Sequence, residues 1–273
     1  VSEVVDIQLS VVNTGLDRLV MAYVIDMTRR KEAETALRQA LEKEKELGEL
    51  KSRFVSMASH QFRTPLAAIL ANAETLRVYR ERMDAGQIDV RLDRIRKQVT
   101  HMKGIMEDVL DLARIQANQL QYEPVMGDLD GLCREVIEDF SHEEEYRTRI
   151  KYEGPEAPLL TEFDPRLMHH VISNLIHNAL KYSGEEAPVY VQLGCSAGAI
   201  TLSVKDQGIG IPEAELKHMF EPFYRASNVG AIAGTGLGLP ITKHAIDAHG
   251  GTIEVESTPA VGTRFTITLP ASS

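Results

Sequence analysis

The sequence predicts a multidomain chain: an α-helical coiled coil, then a helical hairpin that pairs with a second copy as a dimeric four-helix bundle, then an α/β sandwich. Three observations predict this order. Residues 30–57 are dense in Glu, Lys and Arg, and they place Ala33, Ala36, Ala40, Leu47, Leu50, Phe54 and Met57 at heptad a and d positions. Two longer stretches follow in which apolar residues recur at steps of three and four, as on one face of a helix. After Tyr122-Glu123-Pro124 the pattern changes to mixed helices and short alternating strands with many glycines.

The bulk composition sets bounds on these segments. A chain of 273 residues, 43% of them hydrophobic, has room for about two domains with cores of their own. Aromatic residues are 5% and Trp is absent, which suits aliphatic helix packing. A net charge of −10 argues against a nucleic-acid surface spread over the protein and points to protein and nucleotide partners. Cys133 and Cys195 have no CxxC neighbourhood, so a zinc site or disulfide framework is not indicated and a reducing, cytoplasmic compartment fits. No run approaches the ~20 apolar residues that cross a bilayer, and the first residues lack a signal-peptide pattern, so this stretch is expected to make no membrane contact. The chain begins at Val1 rather than Met, and it reads as part of a longer protein whose remainder could carry a membrane anchor.

In order along the chain, residues 1–27 hold two β-rich runs, Val4–Val12 and Leu19–Asp26, joined at Asn13-Thr14-Gly15. Two strands alone are marginal in water, so the hairpin is expected to belong to a larger sheet. Residues 28–51 form the charged helix. Lys43 at a d position and Gly48 weaken its coiled-coil pattern, and a solvated spacer is the alternative; its place between two other segments favours a signalling connector. Residues 52–121 form the helical hairpin, with Phe62, Leu66, Ile69, Ala73 and Leu76 on its first stripe. Its second stripe is Leu92, Ile95, Val99, Met102, Met106, Val109 and Ala113, and Asp84-Ala85-Gly86-Gln87 is the expected connection. Two amphipathic helices do not enclose a core, so a homodimer follows. Residues 122–273 form the α/β domain, with the hinge at Pro124.

On the first bundle helix, 100° per residue places His60 about 160° to 180° from Phe62 and Ile69, facing solvent. Ser56, Thr64, Ala67 and Ala71 lie within about 40° of it, a strip of small side chains on which another protein docks closely. Pro65 is expected to kink the helix beside the imidazole. Alone, such a residue reads as a surface histidine. Ser59-His60-Gln61-Phe62-Arg63-Thr64-Pro65-Leu66, however, resembles the H-box of the two-component sensor histidine kinases, whose usual form is His-Glu-x-[RK]-[TN]-Pro. The resemblance implies that His60 is phosphorylated, that Thr64 supports dephosphorylation of the partner, and that the partner is a response regulator receiver domain. The ending Asp26-Met27-Thr28-Arg29-Arg30-Lys31 likewise resembles the exit of a PAS sensor domain. Gln61 departs from the family pattern. An amide accepts a hydrogen bond but does not act as the base that the usual Glu supplies, so phosphorylation is expected to be slowed and Gln61→Glu to raise its rate.

In the last domain, His170, Asn174 and Asn178 recur every four residues, while Met168, Val171, Leu175 and Ala179 form the opposite, apolar face of the same helix. An amide oxygen suits Mg²⁺ and Lys181 reaches phosphate, although solvated asparagines would show the same spacing. Asn174-Leu175-Ile176-His177-Asn178-Ala179-Leu180-Lys181-Tyr182-Ser183 resembles the family's N-box, which implies Asn178 as metal ligand and brings in Tyr182. The strand Ala199–Lys205 points Ile200, Leu202 and Val204 inward, and Asp206 continues that phase. A buried carboxylate needs a donor, which adenine's exocyclic amine supplies; an Asp capping a turn is the alternative. Gly208 and Gly210 are expected to leave room for the ligand, and Asp206-Gln207-Gly208-Ile209-Gly210-Ile211 resembles the G1 box.

Gly234-Thr235-Gly236-Leu237-Gly238-Leu239 leads into a helix near Pro240, and exposed amides at a helix start attract phosphate. It resembles the G2 box, and Phe220-Glu221-Pro222-Phe223-Tyr224-Arg225 resembles the F-box, bringing in Phe223 and Arg225. Ser227, Asn228 and Gly230 have the composition of a mobile lid, and Gly262-Thr263, before a strand at Arg264–Leu269, resembles the final G box. Five motifs in the family's order over about Ser52–Pro270 imply a Bergerat-type domain that binds ATP and Mg²⁺ and phosphorylates His60. A non-kinase dimeric scaffold for a response regulator and an ATPase of the gyrase and chaperone (GHKL) group are the alternatives.

Overall fold

A computed structural model describes residues 5–14, 17–117, 119–141, 146–196, 198–230, 232 and 234–271, and for most residues up to 60 it describes the backbone alone. The chain forms two compact units, residues 1–58 and 59–273. In the first, β1 (Val5–Thr14) and β2 (Asp17–Asp26) pair antiparallel, and the ladder runs on to Thr14↔Asp17. Asn13 and Thr14 therefore end the strand rather than form the turn. α1 (Thr28–Tyr79) follows, and the side chains of most of its heptad positions lie outside the described residues.

In the second unit α1 continues through Pro65, which is buried, to a short 3₁₀ turn at Arg80–Arg82. α2 (Ala85–Gln116) then begins at the cap Asp84, whose carboxylate accepts a hydrogen bond from the Gln87 amide at 2.8 Å. The polar stretch expected as the connection is thus the cap and first turn of α2. Arg91 Nη1 donates to Asn72 Oδ1 at 3.1 Å and ties α2 to α1. Leu66, Leu92, Val99 and Met106 of the apolar stripes keep 51–53% of their surface exposed in the single chain.

The α/β part opens with β3 (Val125–Asp128), paired antiparallel with β5 (Leu160–Phe163). Its main sheet has the order β4-β6-β7-β9-β8, from Ile150–Glu153, Val189–Ser196, Ala199–Lys205, Gly262–Pro270 and Thr252–Thr258; only the β4–β6 pair is parallel. The helices α3 (Leu129–Ser141), α4 (Pro165–Tyr182) and α5 (Gly238–Ala248) pack over the sheet. Met168, Leu175 and Ile176 of α4 meet Val189, Val191 and Ile267 of the sheet in a core where each is fully buried. Burial of each such side chain contributes about 1.5–3 kcal/mol. Buried Arg149 is satisfied by the carbonyls of Leu180 and Ala187 and by Ser183 Oγ, which fixes the end of α4.

Asp164 caps α4 through the amides of Arg166 and Leu167, and its other oxygen accepts the Glu123 amide at 3.0 Å. The Tyr122 ring stands edge-on to buried His249 at 4.9 Å. Tyr122 and Glu123, just before the hinge expected at Pro124, are therefore already fastened to the α/β domain. Among the described residues no helix is long and apolar enough to cross a membrane.

Candidate functional site

A cavity of about 770 Å³ opens between α2, α4 and the loops that follow β7 and precede α5. Helical periodicity puts His170, Asn174, Asn178 and Lys181 along its wall and turns Met168, Val171, Leu175 and Ala179 into the core. The asparagines form a relay. Asn174 Nδ2 donates to Thr242 Oγ1 at 2.9 Å, and Asn174 Oδ1 accepts from Asn178 Nδ2 at 3.2 Å. Asn174 thus orients Asn178, which lines the cavity and spends its Nδ2 on this bond, so that its Oδ1 is left without a hydrogen bond among the described residues. Lys181 also lines the cavity, and burial, with the nearby Arg225 charge, lowers its pKa to about 8. Its ammonium stands 4.9 Å from the centre of the Tyr182 ring.

Asp206, at the end of β7, is 6% exposed and faces the same cavity. Its Oδ1 accepts the Gly208 amide at 2.7 Å and the Thr263 amide at 3.2 Å; burial pushes its pKa up and these two bonds pull it back. Thr263 lines the cavity beside it. The glycines expected to leave room for a ligand are closely approached by backbone. A Cβ on Gly208 would stand 2.2 Å from the Tyr182 carbonyl oxygen, and one on Gly210, where φ is +65°, 2.1 Å from that of Thr258. Gly210 also lines the cavity; Gly208 does not.

Gly234, Thr235, Gly236 and Gly238 line the same cavity, whereas Leu237 is wholly buried and α5 starts at Gly238, two residues before Pro240. Phe223 has φ +68° and donates its amide to the Gly236 carbonyl; it shapes the loop and does not line the cavity. Arg225 lines the cavity and donates to the Ile232 carbonyl. The lid expected at 227–230 is pinned at its start: Ser227 bonds both oxygens of Glu215 through its amide and hydroxyl, and Asn228 Nδ2 donates to the Gly210 carbonyl at 2.8 Å.

His60 lies in α1, with its side chain outside the described residues. Gln61 Nε2 donates to the Gly234 carbonyl at 3.2 Å, and Thr64, Ala67 and Ala71 are exposed. Sequence reasoning missed the contribution of α2. His101, Asp108 and Asp111 line the cavity, and Ile105, off the apolar stripe, is buried. Burial, with the neighbouring Asp111 charge, pushes Asp108 up to about 6, while a hydrogen bond from Thr235 acts downward. His170 Nε2 lies 3.9 Å from Asp108 and has no hydrogen-bond partner among the described residues; burial lowers its pKa. Charges opposite an apolar stripe read as a solvated face, so no signal in the sequence marks these residues.

Residues 50–118 match the family model of the His Kinase A (phospho-acceptor) domain, and residues 163–273 match that of the histidine kinase-, DNA gyrase B-, and HSP90-like ATPases. The chain belongs to the two-component sensor histidine kinases. This sensor kinase core is 27% identical to the sensor histidine kinase RcsC of Salmonella typhi, over 97% of its own length and 28% of that protein. It is 32% identical to the sensor histidine kinase YkoH of Bacillus subtilis, over 82% of its length and 48% of the relative's. It thus spans between about a quarter and a half of these curated relatives. The solved structure of the Acinetobacter baumannii histidine kinase AdeS shares its fold, with a TM-score of 0.59 at 22% identity over 78% of this chain and 98% of that one.

Proposed function

We propose that this kinase core transfers the γ-phosphoryl group of ATP to His60 and passes it to an aspartate of a response regulator receiver domain. The observation that carries this reading is the asparagine relay, which engages the Asn178 nitrogen and leaves its oxygen unbonded in a residue that lines one cavity with Asp206, Gly234, Thr235, Gly236 and Gly238. Asp206 would accept a hydrogen bond from the adenine amine through Oδ2, since Oδ1 is already shared by two amides. Lys181 would pair with phosphate, which restores the charge that burial opposes.

Asn178 fits a Mg²⁺ ligand because a hard amide oxygen is available there. Among the described residues no cluster of three or more His, Cys, Asp or Glu competes as a metal site, and Mg²⁺ is usually held by one or two protein oxygens with substrate phosphates. The ion would offset charge on the phosphates. A neutral His60 nitrogen attacks the γ-phosphorus, the bond to the bridging oxygen breaks, ADP leaves, and the second ring nitrogen loses its proton to solvent. The receiver carboxylate then takes the phosphoryl group. Thr64, exposed on the same helix, would support hydrolysis on the regulator.

The half-exposed stripes on α1 and α2 support assembly as a homodimer. Residues 1–27 are assigned as the end of a PAS-like sensor domain, 28–51 as a coiled-coil connector, 52–121 as the dimerisation hairpin and 122–273 as the catalytic domain. Gln61 favours a second reading, a scaffold that binds a regulator without phosphorylating it. Incubation with γ-labelled ATP and Mg²⁺ tests both. Label stable to alkali and lost in acid is expected in the parent and absent from His60→Ala. An unlabelled parent supports the scaffold, and release of free phosphate alone supports an ATPase.

A further inference from the structure

Gln61 and Gly234 are 173 residues apart, yet the side-chain amide of one donates to the carbonyl of the other at 3.2 Å. Thr235, the next residue in the loop, lines the cavity beside Asp108 of α2 and acts to lower the pKa of that carboxyl. The first helix of the hairpin therefore holds Gly234 by a hydrogen bond, and the second helix places Asp108 beside the next residue of the loop that lines the cavity. The Lys181 ammonium lies 2.8 Å from where a side chain on Gly234 would begin, so the gripped loop stands against the cation aimed at phosphate.

The geometry points to Gln61 as a positioning residue, whose amide holds the Gly234–Thr235 loop against the phosphoacceptor helix of the same chain, a contact that an ionised carboxylate cannot make. An ionised carboxylate has only acceptors, and opposite a carbonyl oxygen it is repelled. The departure from the family's usual Glu then exchanges a proton acceptor for a docking donor. This inference rests on the proposed phosphorylation of His60. It reverses the expectation, drawn from the base role alone, that Gln61→Glu accelerates the reaction.

The two roles have opposite pH dependence. Initial rates of autophosphorylation at saturating Mg-ATP, quenched in alkali, would be compared for the parent chain, Gln61→Glu and Gln61→Leu between pH 5 and 7.5. Among the described residues, His101, Glu107, Asp108, Asp111, Lys181 and Arg225 are the titratable or charged groups that line the cavity beside this contact; they and His60 are common to all three proteins, so their titration cancels in the ratio of variant to parent rate. Lys181 stays charged below its pKa of about 8. Loss of the tie should slow Gln61→Glu about tenfold at pH 7.5. Its ratio should climb as the pH falls, because the protonated carboxyl regains an O–H donor. Gln61→Leu should be slow with a flat ratio. A Gln61→Glu ratio that rises with pH, or rates equal to the parent's in both variants, would overturn the inference. An unlabelled parent would instead fail the kinase reading itself, which the same experiment records separately.

Discussion

On α4 of the ATP-binding domain, Met168, Leu175 and Ile176 are completely buried by elements of their own chain, whereas on the hairpin Leu66, Val99 and Met106 keep about half of their surface in contact with solvent. The two regions have similar aliphatic content and different closure. The sheet and three helices finish a core alone; two helices cannot, and their stripes remain available for a second copy. Stability of the first region should therefore be a property of one chain, and stability of the second a property of concentration.

Substitution on each side tests that contrast. Leu175→Ala should lower the unfolding free energy of the ATP-binding domain by about 2–5 kcal/mol, measured by calorimetry, with no dependence on protein concentration. A concentration-dependent loss would mean that this core is shared between chains. Val99→Lys should weaken self-association by at least about tenfold in sedimentation equilibrium, because two introduced charges would enter an apolar seam, while the ATP-binding domain melts as before. Unchanged association would place the seam elsewhere.

The contact between the two regions should respond to pH through Asp108. Free of the contact its carboxyl has the ordinary value of 3.8, and in the contact about 6, so its support for docking is fully present below pH ~3.8 and is lost as the pH rises through about 6. His170 and His101 act in the opposite sense: burial lowers both, so their support is present above the ordinary 6.5 and is lost as the pH falls through their lowered values. Asp108→Asn removes the first arm and keeps an acceptor for Thr235. It should raise hydrogen-exchange protection around Ile105–Leu112 about tenfold at pH 7.5 and change it little near pH 4. Equal protection at pH 7.5 would show that the carboxylate costs docking nothing.

What was legible in the sequence was whatever a period fixes. A strand period of two carried Asp206 into the interior, and a helix period of 3.6 set Asn174 and Asn178 on the wall opposite Met168 and Leu175. Close approach at Gly208 and Gly210 was legible too, but spacing does not say what approaches, and backbone comes close at both. Ser227 and Asn228 looked like lid composition because small polar side chains suit both a free loop and the hydrogen bonds that pin one. Asp108 and Ile105 were invisible for a different reason: α2 presents its second contact face to an element more than fifty residues away, and a single-helix pattern reveals only its dominant stripe.

The fastening of Tyr122 and Glu123 has a consequence for the strength that the docking contacts need. Between Gln116, which ends α2, and Tyr122 lie only residues 117–121, of which Leu120 packs against the core of the α/β domain and Gln121 accepts a hydrogen bond from Arg166 at 3.3 Å, so that at most three residues connect the two regions. Fully extended, three residues span about 10 Å. A domain on so short a leash samples a sphere of about that radius, which corresponds to an effective concentration on the order of hundreds of millimolar. At that concentration a contact with only millimolar intrinsic affinity is formed most of the time and still released quickly, so weak contacts such as the hydrogen bond at Gly234 suffice to bring the loop to the helix without trapping it there.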